Sequence, residues 1–135
     1  MKILETVKEI VDKYDIKPID TLGWEDAYEL TKEVPESKDM FASPLTDFEL
    51  LMKYRRYIPE WHYGFSLGTP TPKKWIDALV EILDLCVSFD PNIRIHAIKI
   101  KFGFLCFYVY SDVIEDIHDV EIYLAKTLHD PALKY

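Results

Sequence analysis

The feature that most limits how this chain can fold is an alternation of apolar and charged side chains between Ile98 and Phe102. A period of two is typical of a strand with one buried face, and Gly103 then permits a tight turn into a second apolar run. The sequence therefore predicts two antiparallel strands, at residues 92–101 and 104–110. An isolated hairpin is marginal in water, so this one must pack against helices or join further strands.

The phase of this alternation changes inside the first predicted strand. Ile95 belongs to one set of alternate positions, whereas Ile98 belongs to the other. One extra residue in the strand accounts for the change, and we therefore expect a β-bulge near His96 or Ala97.

Apolar residues recur at helical spacing in five segments around the hairpin, so each segment has one face to bury. In the third segment Ser43 is a good N-cap and Pro44 suits the first helical position. We expect this helix to turn Phe48 and Met52 toward the core, together with Leu45 and Leu51. The five segments cover about residues 2–14, 24–34, 43–58, 72–89 and 112–128.

The last two predicted helices have start signals of their own. Thr71 is expected to cap the fourth helix, with Pro72 as its first residue. Ser111 or Asp112 is expected to cap the fifth helix, because Asp112 and Glu115 have the spacing of a capping box. The side chains that this fifth helix should bury are Val113, Ile117, Val120, Leu124 and Leu128.

The predicted fold class is α+β, with N-terminal helices followed by a helix, an antiparallel β-hairpin and a helix packed as one domain over residues 1–135. Residues 1–60 form an acidic helical half, and residues 64–128 form an α-β-β-α core. A chain of 135 residues can bury one core without disulfides or metals. Cys86 and Cys106 lie among apolar neighbours and are predicted to be free thiols of a cytoplasmic protein.

The charge of the chain narrows the class of its partners. A net charge of −8 argues against a general affinity for nucleic acids or anionic membranes, since both require a basic surface. Ten acids and three lysines fall within residues 15–52, so this segment alone has a charge of −7. It can serve to seat a basic protein, or simply to keep the domain soluble. The N-terminal residues lack a signal-peptide pattern, and the apolar run at residues 102–110 is too short for a membrane helix.

The hairpin segment IKIKFGFLCFYV resembles a motif in short bacterial and phage proteins that carry no assigned activity, in which the pattern reads approximately I-K-E-K-F-G-G-L-R-F-Y. The resemblance extends over residues 64–128 and implies the hairpin and a bacterial or phage origin, but no catalytic residues. Cys106 stands where that group has an arginine, and the C-terminal C-x-x-C-like segment of many members is missing. The matching residues are Ile98, Lys99, Lys101, Phe102, Gly103, Leu105, Phe107 and Tyr108.

Residues 64–68, GFSLG, fit the G-x-S-x-G pattern of the nucleophile elbow of serine hydrolases. An elbow needs a strand before the serine, a helix directly after it and a mostly parallel sheet. Here two prolines delay the next helix to about residue 72, and the predicted strand pair is antiparallel. We therefore interpret Ser66 as part of a glycine-permitted turn, with a small hydrolase as the alternative.

Glu115 and His118 lie three residues apart on the last predicted helix, a spacing that di-iron bundles use. Such sites need a second pair of this kind, and the chain has none. We interpret the pair as part of a solvated acidic face. The glycines fit no phosphate-binding pattern, so the sequence predicts neither a metal nor an organic cofactor.

Residues 54–65, YRRYIPEWHYGF, mix aromatic rings with two arginines, as protein hot spots and base-stacking surfaces do. The alternatives are a packed connection and a small-ligand site, and the acidic charge favours a protein over a nucleic acid. The sequence therefore predicts a non-catalytic domain that docks on a basic protein, such as an immunity protein or an anti-CRISPR-like phage inhibitor. The predicted contact residues are Glu25, Asp26, Glu29, Glu33, Tyr54, Arg55, Arg56, Tyr57 and Trp61.

Overall fold

The computed structural model describes residues 1–14, 16, 46–59, 64–67, 71–101 and 104–128. These residues form helices and a three-stranded sheet, so the predicted α+β class is confirmed. The elements are α1 (Leu4–Lys13), α2 (Thr46–Tyr54) with its 3₁₀ continuation (Arg55–Tyr57), β1 (Gly64–Ser66), α3 (Lys73–Phe89), β2 (Arg94–Lys101), β3 (Phe104–Tyr110) and α4 (Ile117–Thr127). The helix predicted over residues 24–34, and the cap at Ser43 and Pro44, lie outside the described residues.

The sheet has the order β1–β2–β3, with β2 in the centre. β2 and β3 pair antiparallel, and their register shifts between Ile95 and Ala97, which confirms the predicted bulge. β1 pairs with β2 in parallel and places Gly64 opposite Ala97 and Ser66 opposite Lys99. The sequence analysis did not predict this strand, because three residues are too few to display a period of two. The sheet is therefore mixed, and the hairpin is part of it rather than the whole of it.

One face of the sheet, the inner face, is buried against helices. Ile98 and Phe107 lie opposite each other on β2 and β3, and neither has any exposed surface. α4 packs against β3, and α1 contacts both α3 and α4. Each large aliphatic or aromatic side chain removed from water in this way stabilises the fold by about 1.5–3 kcal/mol before opposing entropy. The strand residues on the inner face are Phe65, Ile95, Ile98, Ile100, Leu105, Phe107 and Val109.

Both outer strands lie beside elements outside the sheet. Beside β1, the ring of Tyr54 on α2 lies 5.9 Å from the ring of Phe65, and the carboxylate of Asp47 accepts the Leu67 N–H at 2.9 Å. On β3, the Leu105 N–H donates to the Leu128 carbonyl at 3.0 Å. The Leu105 bond occupies an edge position of β3 that would otherwise be open to another strand.

The start of α1 is fastened to the start of α4 by a buried carboxylate. Asp116 accepts hydrogen bonds from the Ile3 and Leu4 N–H groups at 2.9 Å each, and it is only 7% exposed. Next to it, the Met1 carbonyl accepts the Glu115 N–H at 2.8 Å. The first N–H groups of a helix have no partner within the helix and favour a negative charge, so Asp116 satisfies both requirements. We call this set of bonds the N-terminal clasp.

A second buried carboxylate, that of Asp90, joins the end of α3 to the end of β3. It accepts the Asn92 N–H at 2.9 Å and the Ser111 hydroxyl at 2.6 Å. The Ser111 oxygen in turn accepts the Val113 N–H at 3.2 Å. The predicted capping role of Ser111 and Asp112 is therefore wrong, because α4 begins only at Ile117. Val113, predicted to be buried, lies on the exposed turn before that helix.

The predicted orientation of α2 is wrong for two of its side chains. Phe48 and Met52, expected in the core, are 59% and 54% exposed, and Leu50 and Tyr54 are buried in their place. Two bonds fix this rotation of α2: one from the Leu67 N–H to Asp47 on α2, and one from the Tyr54 hydroxyl to Asp84 on α3.

Thr71 does not cap α3 through its side chain. Its hydroxyl donates to the Leu67 carbonyl at 2.6 Å, and Pro72 occupies the N-cap position without a side-chain hydrogen bond. The predicted apolar face of this helix is otherwise confirmed: Trp75, Ile76, Leu79, Leu83 and Cys86 are buried, and Val80 is partly buried.

We predict that Asp116→Ala lowers the free energy of unfolding by about 2 kcal/mol or more, because it leaves buried N–H groups at the start of α1 without a partner. Urea unfolding followed by circular dichroism measures the change. Asp119→Ala, an exposed acid in the first turn of α4, is the matched control and should change stability by less than about 0.5 kcal/mol. Equal effects of the two substitutions would contradict the role assigned to the clasp.

We predict that Gly64→Ala destabilises the protein by about 1–2 kcal/mol, the cost of a left-handed conformation for a residue with a side chain. Gly64 has a φ of +76°, and an added Cβ would lie 2.6 Å from the Ile58 Cδ1 atom. Ser66→Ala in the same strand is the control, since Ser66 is exposed and its replacement should leave stability nearly unchanged. A Gly64→Ala variant as stable as that control would refute this reasoning.

Candidate functional site

The aromatic and arginine segment predicted to bind a partner is divided between the core and the surface. Tyr54 is only 2% exposed, and its hydroxyl donates to an Asp84 carboxylate oxygen at 2.7 Å. Burial, and then this bond to Asp84, raise the pKa of Tyr54 well above its usual range. Tyr54 thus holds α2 against α3 and offers no surface to a partner.

The next three residues reach the surface. Arg55 and Arg56 are exposed on the 3₁₀ turn, and Tyr57 is half-buried. The guanidinium carbon of Arg56 lies 5.9 Å from the centre of the Tyr57 ring, within the range of a cation–π contact. Trp61 and the four predicted acidic contacts (Glu25, Asp26, Glu29 and Glu33) lie outside the described residues, so their roles stay predictions.

The exposed side of α2 combines large apolar side chains with these arginines. Phe48 and Met52 are four residues apart, and Arg55 and Arg56 follow Met52 at the three- and four-residue spacing of neighbours on a helix. We call these four residues the outer face of α2. Sequence reasoning placed the two apolar residues in the core, although α2 has a second apolar pair, Leu50 and Tyr54. A nine-residue helix that packs on one side can bury only one of its two apolar stripes.

The 3₁₀ turn also forms one wall of a cleft of about 290 Å³. Arg56 and Tyr57 come from the turn, and Asn92 and Arg94 come from the start of β2 and the residues before it. The remaining lining is apolar, from Ile58, Pro59, Pro91 and Ile93. We call it the arginine cleft. Sequence analysis did not find Asn92 or Arg94, because neither lies in a motif and both lie more than thirty positions along the chain from Arg56.

The fold supplies the strand that a nucleophile elbow at Ser66 requires, but not a helix directly after the serine. A strand does precede Ser66, and it is parallel to β2, which corrects the expectation of a purely antiparallel arrangement. However, α3 begins only at Lys73, whereas an elbow needs the helix directly after the serine. Ser66 itself is exposed at the end of β1, where it lies beside Lys99 of β2.

The two cysteines occupy different surroundings. Burial raises the pKa of the Cys86 thiol to about 12, so this thiol stays protonated and unreactive near neutral pH. Cys106 is half-buried on the outer face of the sheet, opposite Lys99. Both thiols are free, as predicted, although only Cys86 is fully buried.

The histidine on α4 pairs with a different acid from the one its spacing suggested. Its Nδ1 lies 3.2 Å from a carboxylate oxygen of Glu121, while Glu115 is 3.6 Å from the amino group of Met1. Among the residues that the structure describes, no group of three potential ligands is placed to hold a metal ion. The same part of the chain contains no helix that is both long and apolar enough to cross a membrane.

No protein-family model matches this chain, and neither the curated proteins nor the solved structures include a similar one. The resemblance of the hairpin to short bacterial and phage proteins therefore stays a prediction. What the protein does must be argued from the outer face of α2, the arginine cleft and the charge of the chain.

We predict that a fluorophosphonate probe leaves Ser66 unmodified, because the next helix among the described residues begins only at Lys73, too late to complete an elbow. Intact-protein mass spectrometry after incubation with the probe measures the adduct, with an active serine hydrolase as the positive control. An adduct on the wild-type protein that disappears in Ser66→Ala would overturn this prediction and favour the hydrolase.

Proposed function

We propose that this protein is a small, acidic, non-catalytic domain that binds a basic protein and blocks it. An immunity protein and an anti-CRISPR-like phage inhibitor are two forms that such a domain takes. The observation that carries the proposal is the outer face of α2, where Phe48 and Met52 are exposed and two exposed arginines follow Met52 within one helical turn.

This combination of side chains suits a protein interface. Single exposed apolar residues are common on protein surfaces, but an adjacent phenylalanine and methionine next to arginines is the composition of an interface centre. Methionine has a flexible, polarisable side chain that adapts to the shape of a partner. The aromatic ring and the arginines supply the contacts that contribute most to affinity in such patches.

The net charge of the chain indicates the class of partner. α2 lies at the end of the segment of residues 15–52, whose charge is −7, and Asp47 and Glu49 lie in its first turn. A negative field of this kind steers a positively charged protein toward the surface and disfavours acidic competitors. The arginines then require carboxylates or carbonyl oxygens at the centre of the partner's contact surface. We therefore propose a basic, cytoplasmic protein partner with an apolar patch near acceptor groups.

A small-ligand domain is the second candidate, and the arginine cleft is the observation that favours it. The cleft uses Arg56 and Tyr57 from the segment predicted to contain a binding site. The two functions are compatible, because the cleft and the outer face of α2 share only Arg56.

We predict that a Phe48→Ala/Met52→Ala double variant binds its partner at least about tenfold more weakly, as expected when the centre of an interface is removed. The partner is first captured from a host lysate with the wild-type domain, identified by mass spectrometry and purified. Its dissociation constant for each variant is then measured by calorimetry. A Val113→Ala/Ile122→Ala double variant is the matched control, since both side chains are exposed and apolar but lie away from α2.

Association rates with the same partner, measured by surface plasmon resonance, test the contribution of charge. Replacing Glu25, Asp26, Glu29 and Glu33 by lysine should slow association most strongly at low salt, because steering is screened by added ions. The proposal fails if the captured protein is acidic, or if the α2 double variant binds as tightly as the control.

A further inference from the structure

We infer that the arginine cleft is a binding site for a small organic anion, one with a carboxylate or phosphate head on an apolar body about the size of a single ring. This inference rests on the second proposed function, the small-ligand domain, and does not depend on the proposed protein partner. It rests on the convergence, in one cleft, of two arginines from separate elements with neutral hydrogen-bonding groups and apolar walls.

The two arginines supply the charge recognition. Arg56 lies on the 3₁₀ turn after α2, and Arg94 is the first residue of β2. Each guanidinium presents a planar fork of donors that matches a carboxylate or phosphate by two parallel hydrogen bonds. Tyr57 and Asn92, residue types with neutral hydrogen-bonding groups, line the same cleft. On a protein of charge −8, this is a local concentration of positive charge.

The walls of the cleft determine which anions fit. Ile58 and Pro59 follow the 3₁₀ turn, Pro91 and Ile93 precede β2, and all four residues line the cleft. These side chains offer contact to the apolar body of a ligand. A volume of about 290 Å³ lies at the lower end of the usual range for ligand pockets. The cleft therefore suits a single ring with one acidic group better than a nucleotide.

Backbone hydrogen bonds hold both walls in place before any ligand arrives. The Ile58 N–H donates to the Arg55 carbonyl at 3.2 Å, which closes the 3₁₀ turn. On the other side, the Ile93 N–H donates to the Asp90 carbonyl at 3.1 Å, and the Asn92 N–H donates to the Asp90 carboxylate. A preformed cleft loses little conformational freedom on binding, so more of the interaction energy appears as affinity.

The acidic groups near Arg94 have separate roles. The Asp90 carboxylate is already engaged by the Asn92 N–H and the Ser111 hydroxyl. Asp112, by contrast, has a carboxylate oxygen 3.8 Å from an Arg94 nitrogen, and its side chain is 92% exposed. Exposed ion pairs of this kind contribute little stability, so an anion in the cleft can take the place of Asp112. Removing the Asp112 charge should therefore strengthen anion binding.

The test is a titration of the isotope-labelled protein with phenyl phosphate and with benzoate, monitored by amide chemical shifts in NMR spectra. Phenol serves as the uncharged probe. We expect both anions to shift the amide signals of Tyr57, Asn92 and Arg94, and the stronger of the two identifies the preferred head group. Arg56→Gln and Arg94→Gln should each weaken binding roughly tenfold or more, the loss expected for charge-assisted hydrogen bonds. Asp112→Asn should tighten it about two- to fivefold, as expected for an exposed ion pair.

Arg55→Gln is the matched control, because Arg55 is an exposed arginine in the same turn but does not line the cleft. Thermal unfolding of every variant verifies that the fold is intact. The inference is overturned if neither anion shifts these signals, if phenol binds as tightly as the anions, or if Arg55→Gln weakens binding as much as Arg56→Gln. An equal loss in these two variants would indicate that the anions respond to the total positive charge of the 3₁₀ turn and not to the cleft.

Discussion

The burial of the inner side of β2 is the constraint on which the other elements depend. Its isoleucines can leave water only if β3 and β1 flank the strand and helices cover it, and the bulge between Ile95 and Ala97 keeps both halves of the strand in phase with that core. β1 in turn provides the surface on which α2 rests. The exposed side of α2 and the start of β2, which forms one wall of the arginine cleft, therefore take their positions from the same central strand.

The parts of this fold that the sequence predicts are those specified by local periodicity. α1, the apolar face of α3 and the two long strands each contain enough residues for a period of 3.6 or 2 to be visible, and a change of phase was enough to locate the bulge. β1 could not be found in this way, because a short parallel strand depends on pairing with residues more than thirty positions away. The start of α4 was misplaced for a related reason. Asp116, just before that helix, is engaged by N–H groups at the other end of the chain.

The candidate sites also depend on contacts between distant residues, which local sequence patterns do not reveal. Composition singled out Arg55, Arg56 and Tyr57, and the structure puts them at the surface beside α2. Composition could not separate them from Tyr54, whose burial depends on Asp84 in a different helix. Nor could it show that Phe48 and Met52 lie outside, since α2 carries two apolar stripes and only its neighbours decide which one is buried. A binding surface made by rotating a helix, or by joining a turn to a distant strand, is a property of the tertiary structure.

The N-terminal clasp has a consequence for how the chain is synthesised. A ribosome releases the residues of α1 first, yet the carboxylate that completes this helix is made 112 positions after Leu4. At ordinary rates of translation the delay is on the order of ten seconds. During that interval Val7 and Val11, fully buried in the finished protein, have no α4 to pack against. The nascent chain must therefore leave the apolar side of this segment exposed until α4 has been made.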